Sequence, residues 1–273
     1  MSPRIFVVTG ANKGIGYGIV EKLASTVDGA VTYLTARDES RGKASLEKLE
    51  QSLAKNKKGE IRFHQLDIED SNSCQKFADY LKKTHDGIDV LVNNAGFAFD
   101  NSAKESPEEQ AKVTIGINYY GTKLVSSKLI PIIRSGGRVV NVCSSMGIMK
   151  DKFDQKHIEK LKNASSEKEI DDFVEEYIQA AKDNNRKEKG FPESAYRTSK
   201  AAEIALTLLH GRQYSNRGIK FYACCPGYVN TDMTNHNGHL TIQEGADTPT
   251  WLATSDDAPD GKFVYLRKPV DWY

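Results

Sequence analysis

Short runs of apolar, β-branched residues alternate with amphipathic stretches along most of this chain. The first run, at 5–8, is followed by a stretch of helical periodicity at about 14–27 and by a second apolar run at 30–35. The alternation continues through expected strands at 61–66, 90–92, 138–142, 220–224 and 262–266 and expected helices at 41–55, 71–83, 111–133 and 194–214. Strands separated by helices of this length predict an α/β fold with a doubly wound parallel sheet, in which helices cover both faces.

The alternation breaks between about 148 and 194, where the segment 150–190 carries 10 basic and 11 acidic residues. Apolar residues in this segment recur at helical spacing. They are Ile158, Leu161, Ile170, Phe173, Val174, Tyr177, Ile178 and Ala181. The pattern predicts an insertion of two surface helices, each with one buried face, and leaves open whether it only packs or also binds a partner. Because no low-complexity linker separates the flanking parts, we expect 1–273 to form a single domain.

Composition and charge disfavour several classes of protein. Charged residues make up 27% of the 273 residues and hydrophobic residues 38%, and the formal net charge is +1, which are ordinary values for a globular protein. No basic stripe follows any predicted helix, which disfavours nucleic-acid binding. No apolar stretch is long enough to span a bilayer, and the N-terminal apolar run is too short for a signal peptide, so we expect a cytoplasmic protein without membrane contact.

The four cysteines have no spacing typical of a zinc site or a redox pair. We therefore expect reduced thiols, with Cys224 and Cys225 pointing to opposite sides of one strand as small core residues. His236 and His239 lie three residues apart in a loop rich in Gly and Asn, but a metal needs more ligands than this pair offers. We expect no metal site.

A glycine-rich segment follows the first predicted strand and opens the first predicted helix. It comprises Thr9, Gly10, Ala11, Asn12, Lys13, Gly14, Ile15 and Gly16. Glycines let the backbone turn tightly and approach phosphate oxygens without a Cβ clash, and a helix N-terminus attracts anions. The segment is expected to bind the pyrophosphate of a dinucleotide, although its GxxxGxG spacing alone also fits an ordinary tight turn.

The end of the second predicted strand indicates which dinucleotide binds. Ala36 lies where an NAD-binding protein offers a carboxylate to the ribose hydroxyls, and Arg37 follows it. A guanidinium favours a 2′-phosphate, and Lys13 adds a second cation. These residues predict a preference for NADPH, although either cation alone is more often a surface charge.

Further motifs follow the glycine-rich segment in order. They are Asn93-Asn94-Ala95-Gly96, Asn118, Ser144, Tyr196-x-x-x-Lys200 and Pro226-Gly227. With this set the chain resembles the short-chain dehydrogenase/reductase family over nearly its whole length. The resemblance implies a Rossmann fold and an oxidoreductase activity.

The resemblance also implies three catalytic side chains. Tyr196 would act as general acid or base, and the Lys200 ammonium, one helical turn later on the same face, would lower the pKa of its hydroxyl from about 10. Ser144 would hydrogen-bond the substrate oxygen, and the family pattern selects it over the neighbouring Ser145. Tyr196 and Ser144 would therefore bind the substrate as well, while Tyr196 and Lys200 would also contact the cofactor.

Other positions take their roles from the same resemblance. Asn118 would hold a water beside the lysine in a proton relay, and its alternative role is that of a buried, helix-bending asparagine. Asn94 would pack against the ribose on the adenine side and steady the sheet. The remaining cofactor contacts would come from Asp67 and Ile68 in the adenine pocket and from Val229 and Thr231 near the nicotinamide carboxamide.

The position of the insertion indicates a branch of the family. Ser144 and Tyr196 are separated by the whole charged insertion, whereas typical members keep them close together. This feature, with the segments 34–38, 64–67 and 223–227, resembles the carbonyl reductase branch, which implies that NADPH reduces ketones, aldehydes or quinones to alcohols. The natural substrate stays open, as do two alternatives: a dehydrogenase working toward the ketone and a non-catalytic NADPH-sensing protein.

The resemblance also bears on assembly. Members of the family commonly pair through the helices after Asn118 and around Tyr196, and the insertion leads directly into the second of these helices. We expect its apolar faces to cover the strip that a partner subunit otherwise covers. The chain is then expected to be a monomer.

Overall fold

One eight-stranded sheet forms the centre of the computed structural model, which describes residues 2–100 and 102–273. The strands are β1 (Ile5–Val8), β2 (Val31–Ala36), β3 (Glu60–Gln65), β4 (Ile88–Asn93), β5 (Ile133–Val142), β6 (Lys220–Cys225), β7 (Lys262–Tyr265) and β8 (Lys268–Pro269). Their order in the sheet is β3-β2-β1-β4-β5-β6-β7-β8, and all neighbours are parallel except β8, which is antiparallel to β7. The predicted doubly wound α/β fold is confirmed, with β8 as an addition that the pattern did not predict.

The helices between the strands largely match the predicted ones. They are α1 (Gly14–Thr26), α2 (Glu39–Leu53), α3 (Ser71–His85), α4 (Pro107–Ile115), α5 (Thr122–Leu129), α6 (Gln155–Lys162), α7 (Glu167–Lys182), α8 (Ala195–Gln213), α9 (Ile242–Gly245) and α10 (Asp247–Thr254). The long helical region predicted over 111–133 is present, but it is divided, because a π-helical segment, Gly116–Gly121, lies between α4 and α5, and β5 already begins at Ile133. Within the described ranges, no helix has both the length and the apolar character needed to cross a bilayer.

The sheet separates two apolar layers because successive side chains of a strand point to opposite faces. In β1, Phe6 and Val8 belong to the core beneath α1 and α2, whereas Ile5 and Val7 belong to the core beneath α3 and α5. The same alternation divides Cys224 from Cys225, and both thiols are buried. The prediction that these two cysteines are core residues on opposite sides of a strand is therefore confirmed.

The insertion forms α6 and α7, and α7 packs across α4 and α8. Its apolar face is fully buried: Ile170, Phe173, Val174 and Tyr177 have no exposed surface. Burial of side chains of this size stabilises a fold by about 1.5–3 kcal/mol each, so this face binds α7 firmly to the rest of the chain. The predicted pair of helices, each with a buried face, is confirmed.

Candidate active site

The candidate site lies at the carboxyl ends of β1 and β4, which are neighbours in the sheet. The chain passes from β1 to β2 and β3 on one side, then returns to place β4 on the other side of β1. In an open α/β sheet such a switch point leaves a crevice outside the carboxyl ends of the strands, and ligands bind there. The segments that follow β1, β4, β5 and β6 therefore border one crevice.

The glycines after β1 occupy positions where a side chain would not fit. Gly10 has φ +60°, and a Cβ on it would lie 2.8 Å from Cα of Ala95. A Cβ on Gly16 would lie 2.4 Å from Nδ2 of Asn94 and 2.8 Å from the carbonyl oxygen of Gly10. At Gly10 and Gly16 the loop backbone is thus drawn tightly against the segment after β4.

The start of α1 suits an anion. The helix begins at Gly14, and its N-cap is Lys13, whose side chain has no hydrogen-bond acceptor. The first-turn N–H groups of a helix have no partner within the helix and carry partial positive charge. The first turn of α1 contains no acidic residue to compete for them. These residues therefore fit the pyrophosphate of a dinucleotide.

Two further residues of the loop are held by its surroundings. The main-chain carbonyl of Asn12 accepts a hydrogen bond of 2.7 Å from the Ser45 hydroxyl in α2. The partly buried side chain of Ile15 packs against the core beneath α1. Asn12 and Ile15 thus fix the loop between β1 and α1. A direct contact of Asn12 or Ile15 with a cofactor stays a prediction.

Thr9 and Asn94 join the glycine loop to the segment after β4. The Thr9 hydroxyl accepts hydrogen bonds from the N–H groups of Asn94, at 2.9 Å, and Ala95, at 3.0 Å. In return, Nδ2 of Asn94 donates to the carbonyl oxygens of Thr9 and Gly10, at 2.9 and 3.2 Å. Asn94 therefore holds the glycine loop in shape. Asn94 would affect cofactor binding through the shape of this loop. Sequence reasoning gave Thr9 no role, although it is the first residue of the motif.

The side chain of Arg37 follows β2 and is open to solvent, and its contact with a 2′-phosphate stays a prediction. The guanidinium of Arg37 is exposed, with its nearest carboxylate, that of Glu69, 3.9 Å away. The next residue, Asp38, accepts a hydrogen bond of 2.8 Å from the N–H of Arg41 and caps α2. One oxygen of the Asp38 carboxylate is therefore used to cap α2.

The expected adenine-pocket residues follow β3. Oδ1 of Asp67 accepts a hydrogen bond of 3.1 Å from the N–H of Glu69, which forms a turn. The side chain of Ile68 packs on Gly121, where a Cβ would lie 2.8 Å from Ile68 Cδ1. This contact ties the turn after β3 to the π-helical segment, and the adenine contacts of Asp67 and Ile68 stay a prediction.

Val229 and Thr231, the two residues expected near the nicotinamide, have different surroundings, and their contacts with a cofactor stay a prediction. Val229 is buried and packs on Gly245, where a Cβ would come within 2.4 Å of Val229 Cγ2. Thr231 faces the glycine loop, since its Cγ2 would lie 3.5 Å from a Cβ on Gly14. Thr231 is therefore beside the start of α1, whereas Val229 mainly supports the loop after β6.

Tyr196 and Lys200 share one face of α8, with the Lys200 ammonium 5.8 Å from the centre of the Tyr196 ring. Burial raises the pKa of the Tyr196 hydroxyl, and this effect outweighs the opposing effects of the Lys200 charge and of a hydrogen bond with Ser144. Ser144 follows β5 and accepts a hydrogen bond of 3.1 Å from the N–H of Met146, whereas Ser145 is exposed. The structure thus brings Tyr196, Lys200 and Ser144 together.

The Lys200 ammonium is almost completely buried and is held by two acceptors. It donates to the carbonyl oxygen of Val142, at 3.1 Å, and to Oε2 of Glu203, at 2.6 Å. Burial by itself would lower the pKa of Lys200, but the nearby acidic groups, first among them Glu203, raise it overall. Sequence reasoning missed Glu203, although its place three residues after Lys200 on a helix puts it on the same face.

Asn118 lies in the π-helical segment and is completely buried. Its Oδ1 accepts a hydrogen bond of 2.7 Å from the N–H of Phe97, and its Nδ2 donates to the Phe97 carbonyl, at 2.9 Å, and to the Ser199 hydroxyl, at 3.0 Å. The side chain therefore positions the chain after β4 against α8. Its location in a distorted helix also agrees with the alternative of a helix-bending asparagine, and the water relay stays a prediction.

A glycine-rich loop at a switch point, together with a tyrosine and a buried lysine on one helix, is typical of α/β oxidoreductases that use a dinucleotide. The sequence profile of a family described as short chain dehydrogenase matches residues 4–154 and 184–240. The stretch between the two matched parts contains α6 and α7. The chain belongs to the short-chain dehydrogenase family.

Individual relatives extend this comparison over nearly the whole chain. Carbonyl reductase (NADPH) 1 from Bos taurus is 37% identical over 278 residues, and carbonyl reductase (NADPH) 3 from Mus musculus is 38% identical over 279, with 98% of each chain covered in both cases. Among solved structures, salutaridine reductase from Papaver somniferum is similar with a TM-score of 0.85 and 32% identity, covering 96% of this chain and 99% of that one.

Proposed function

We propose that this protein is an NADPH-dependent carbonyl reductase that converts ketones, aldehydes or quinones to alcohols. The observation that carries the proposal is the placement of Tyr196, Lys200 and Ser144 around one crevice that also receives the glycine loop. The full-length similarity to two carbonyl reductases that use NADPH supports both the cofactor and the reaction class.

NADPH would be held by the start of α1 and by the residues after β2. The N–H groups of Gly14, Ile15 and Gly16 would bind the pyrophosphate. Arg37 and Lys13 would bind the 2′-phosphate, since Ala36 offers no carboxylate to the ribose hydroxyls. When bound, NADPH supplies the hydride that adds to the carbonyl carbon.

The chain's own residues would supply the proton and stabilise charge. The Tyr196 hydroxyl would give its proton to the carbonyl oxygen, which becomes the alcohol, and the Ser144 hydroxyl would hydrogen-bond that oxygen. The Lys200 ammonium would stabilise the phenolate that Tyr196 leaves behind until a proton from water restores it. The intact set of three side chains disfavours a purely cofactor-sensing role.

The rim of the crevice favours substrates with an apolar body. Phe97 follows β4, Met146 follows β5, and Tyr228 and Met233 follow β6, so these side chains border the same edge of the sheet. Met146, Tyr228 and Met233 are 39%, 48% and 47% exposed, so their apolar surfaces are accessible to a ligand. We propose that they receive the hydrocarbon part of a carbonyl substrate.

The proton-donor assignment is tested with Tyr196→Phe. This variant should lose more than 95% of its activity on ketones and aldehydes, about 20-fold or 1.8 kcal/mol, and should bind NADPH nearly as well as the unmodified protein. Lys200→Ala should impair both properties. NADPH fluorescence titration and initial rates separate binding from turnover. A Tyr196→Phe protein that keeps most of its aldehyde reductase activity would show that another group donates the proton.

A further inference from the structure

Outside the motif residues, α8 carries a buried carboxylate, that of Glu203. It lies in the middle of α8, and none of its surface is exposed. Its Oε2 lies 2.6 Å from the Lys200 ammonium, and its Oε1 lies 3.4 Å from the Thr122 hydroxyl at the start of α5. A buried carboxylate is costly unless it is paired, so this geometry makes Glu203 the counter-ion of Lys200.

The pairing determines where the lysine points. An ammonium has three N–H donors, and the acceptors on Glu203 and on Val142 use two of them. Since both acceptors belong to rigid elements, α8 and β5, the ammonium is fixed at one position near the Tyr196 ring. If Glu203 were removed, Lys200 would keep the Val142 carbonyl oxygen, which is neutral, but would lose its charged acceptor.

The pairing also changes the charge that Tyr196 experiences. Lys200 favours the phenolate, and the carboxylate of Glu203 opposes it, so Glu203 offsets part of the effect of the Lys200 charge. Burial acts in the same direction as Glu203 and raises the pKa of Tyr196. Burial first, and also the charge of Glu203, raise the pKa of the thiols of Cys143 and Cys224, and the thiol of Cys225 adds to the raised pKa of Tyr196.

We propose that Glu203 is a positioning residue for the reduction: it holds the Lys200 ammonium beside Tyr196 and balances its charge, so that Tyr196 keeps its proton to higher pH. This inference rests on the proposed role of Tyr196 as the proton donor. Reduction requires the protonated tyrosine, so Glu203 sets the upper limit of the pH range in which the site can work.

The test is the pH profile of Glu203→Gln. The measured quantity is kcat/KM for an aromatic aldehyde, 4-nitrobenzaldehyde, at saturating NADPH, because it reports the ionisations of the enzyme with reduced cofactor bound. Removing the negative charge stabilises the phenolate, so the fall of activity at high pH should move to lower pH by about one unit. An unchanged high-pH limb in the folded Glu203→Gln protein overturns the proposal.

A matched control is available on the neighbouring helix α7. Glu167 of α7 pairs with His210 of α8 at 2.7 Å, so Glu167→Gln also removes a carboxylate that contacts α8, but one remote from Lys200 in sequence. In Glu167→Gln, the fall of kcat/KM at high pH should stay where it is in the unmodified protein. A shift equal to that of Glu203→Gln would overturn the proposal, because the effect would then be a general response to lost charge.

Two further variants keep the outcomes distinct. If Glu203→Gln does not fold, Glu203→Asp can be used instead, since it moves the carboxylate away from Lys200 by one methylene. The fall of activity at high pH should then also move to lower pH, but by less than about one unit. A folded Glu203→Asp protein with an unmoved limb would also reject the proposal. Tyr196→Phe tests the proton donor separately. If this variant retains activity, the proposed role of Tyr196 is wrong. If it is inactive and the high-pH fall of activity in Glu203→Gln has not moved, only the proposed role of Glu203 is rejected.

Discussion

The ammonium of Lys13 lies 2.7 Å from Oδ2 of Asp232, which joins the glycine loop to the loop after β6. The two side chains are 65% and 60% exposed, and ion pairs this accessible contribute about 0–1 kcal/mol to stability. The pair therefore bears mainly on binding, because Lys13 is also the second cation proposed for the 2′-phosphate. Asp232 and a 2′-phosphate would compete for one ammonium.

We expect Asp232→Asn to bind NADPH about threefold more tightly, about 0.7 kcal/mol, with NADH binding unchanged. The reason is that the ammonium of Lys13 no longer has to leave a carboxylate. Dissociation constants for both cofactors, measured by fluorescence at low salt, check this prediction. The gain should vanish in the double variant with Lys13→Ala, and an equal gain for NADH would indicate a change in loop shape instead.

The cofactor preference depends on Arg37. We expect the unmodified protein to prefer NADPH over NADH by at least about tenfold in kcat/KM, or about 1.4 kcal/mol. Arg37→Asp should reverse this preference, because a carboxylate repels the 2′-phosphate and can accept hydrogen bonds from ribose hydroxyls. Initial rates with both cofactors provide the measurement. Equal kcat/KM values for the two cofactors in the unmodified protein would contradict the assignment of Arg37 and Lys13.

Gly16→Ala should disrupt the glycine loop. The new Cβ would lie 2.4 Å from Nδ2 of Asn94, so Asn94 must release the carbonyl oxygens of Thr9 and Gly10. Overpacking of this kind costs about 1–3 kcal/mol, and we expect NADPH affinity to fall about tenfold or more.

The matched control for this change is Gly211→Ala in α8. Its Cβ would meet Phe221 Cβ at 3.5 Å, which is an ordinary contact. Alanine favours a helix more than glycine does, so Gly211→Ala should leave NADPH binding unchanged and slightly raise the melting temperature. If Gly16→Ala bound NADPH as tightly as this control, the tight contact between the loop and Asn94 would have no role in cofactor binding.

The insertion should keep the chain monomeric. Because α7 covers α4 and α8, deletion of about 154–185 with a short linker should expose their apolar surface and cause dimerisation or aggregation. The intact chain should elute near its mass of 30.3 kDa. Light scattering at micromolar concentration and moderate salt measures both proteins. A stable dimer of the intact chain would leave the insertion without a shielding role.

Much of the fold follows from local sequence alone. The strand and helix alternation predicted seven of the eight strands and the insertion helices, because the spacing of apolar residues reflects which side of an element is buried. The proximity of Tyr196 and Lys200 was predictable for the same reason, since a spacing of four residues on a helix brings two side chains to one face, whereas their catalytic roles rest on the family resemblance. The strand β8 is two residues long, too short to leave a pattern.

The sequence by itself therefore determined the fold class and the family, which depend on motifs and short periodicities, and it supplied the prediction of the reacting side chains. Only the tertiary structure decided how these parts are connected. Thr9 meets Asn94 and Lys13 meets Asp232 because strands distant in the chain end side by side. The interruption of the helix around Asn118 and the burial of Glu203 likewise depend on neighbouring elements. A local pattern carries no record of such partners, since hydrogen bonds and desolvation depend on what packs against a residue in space.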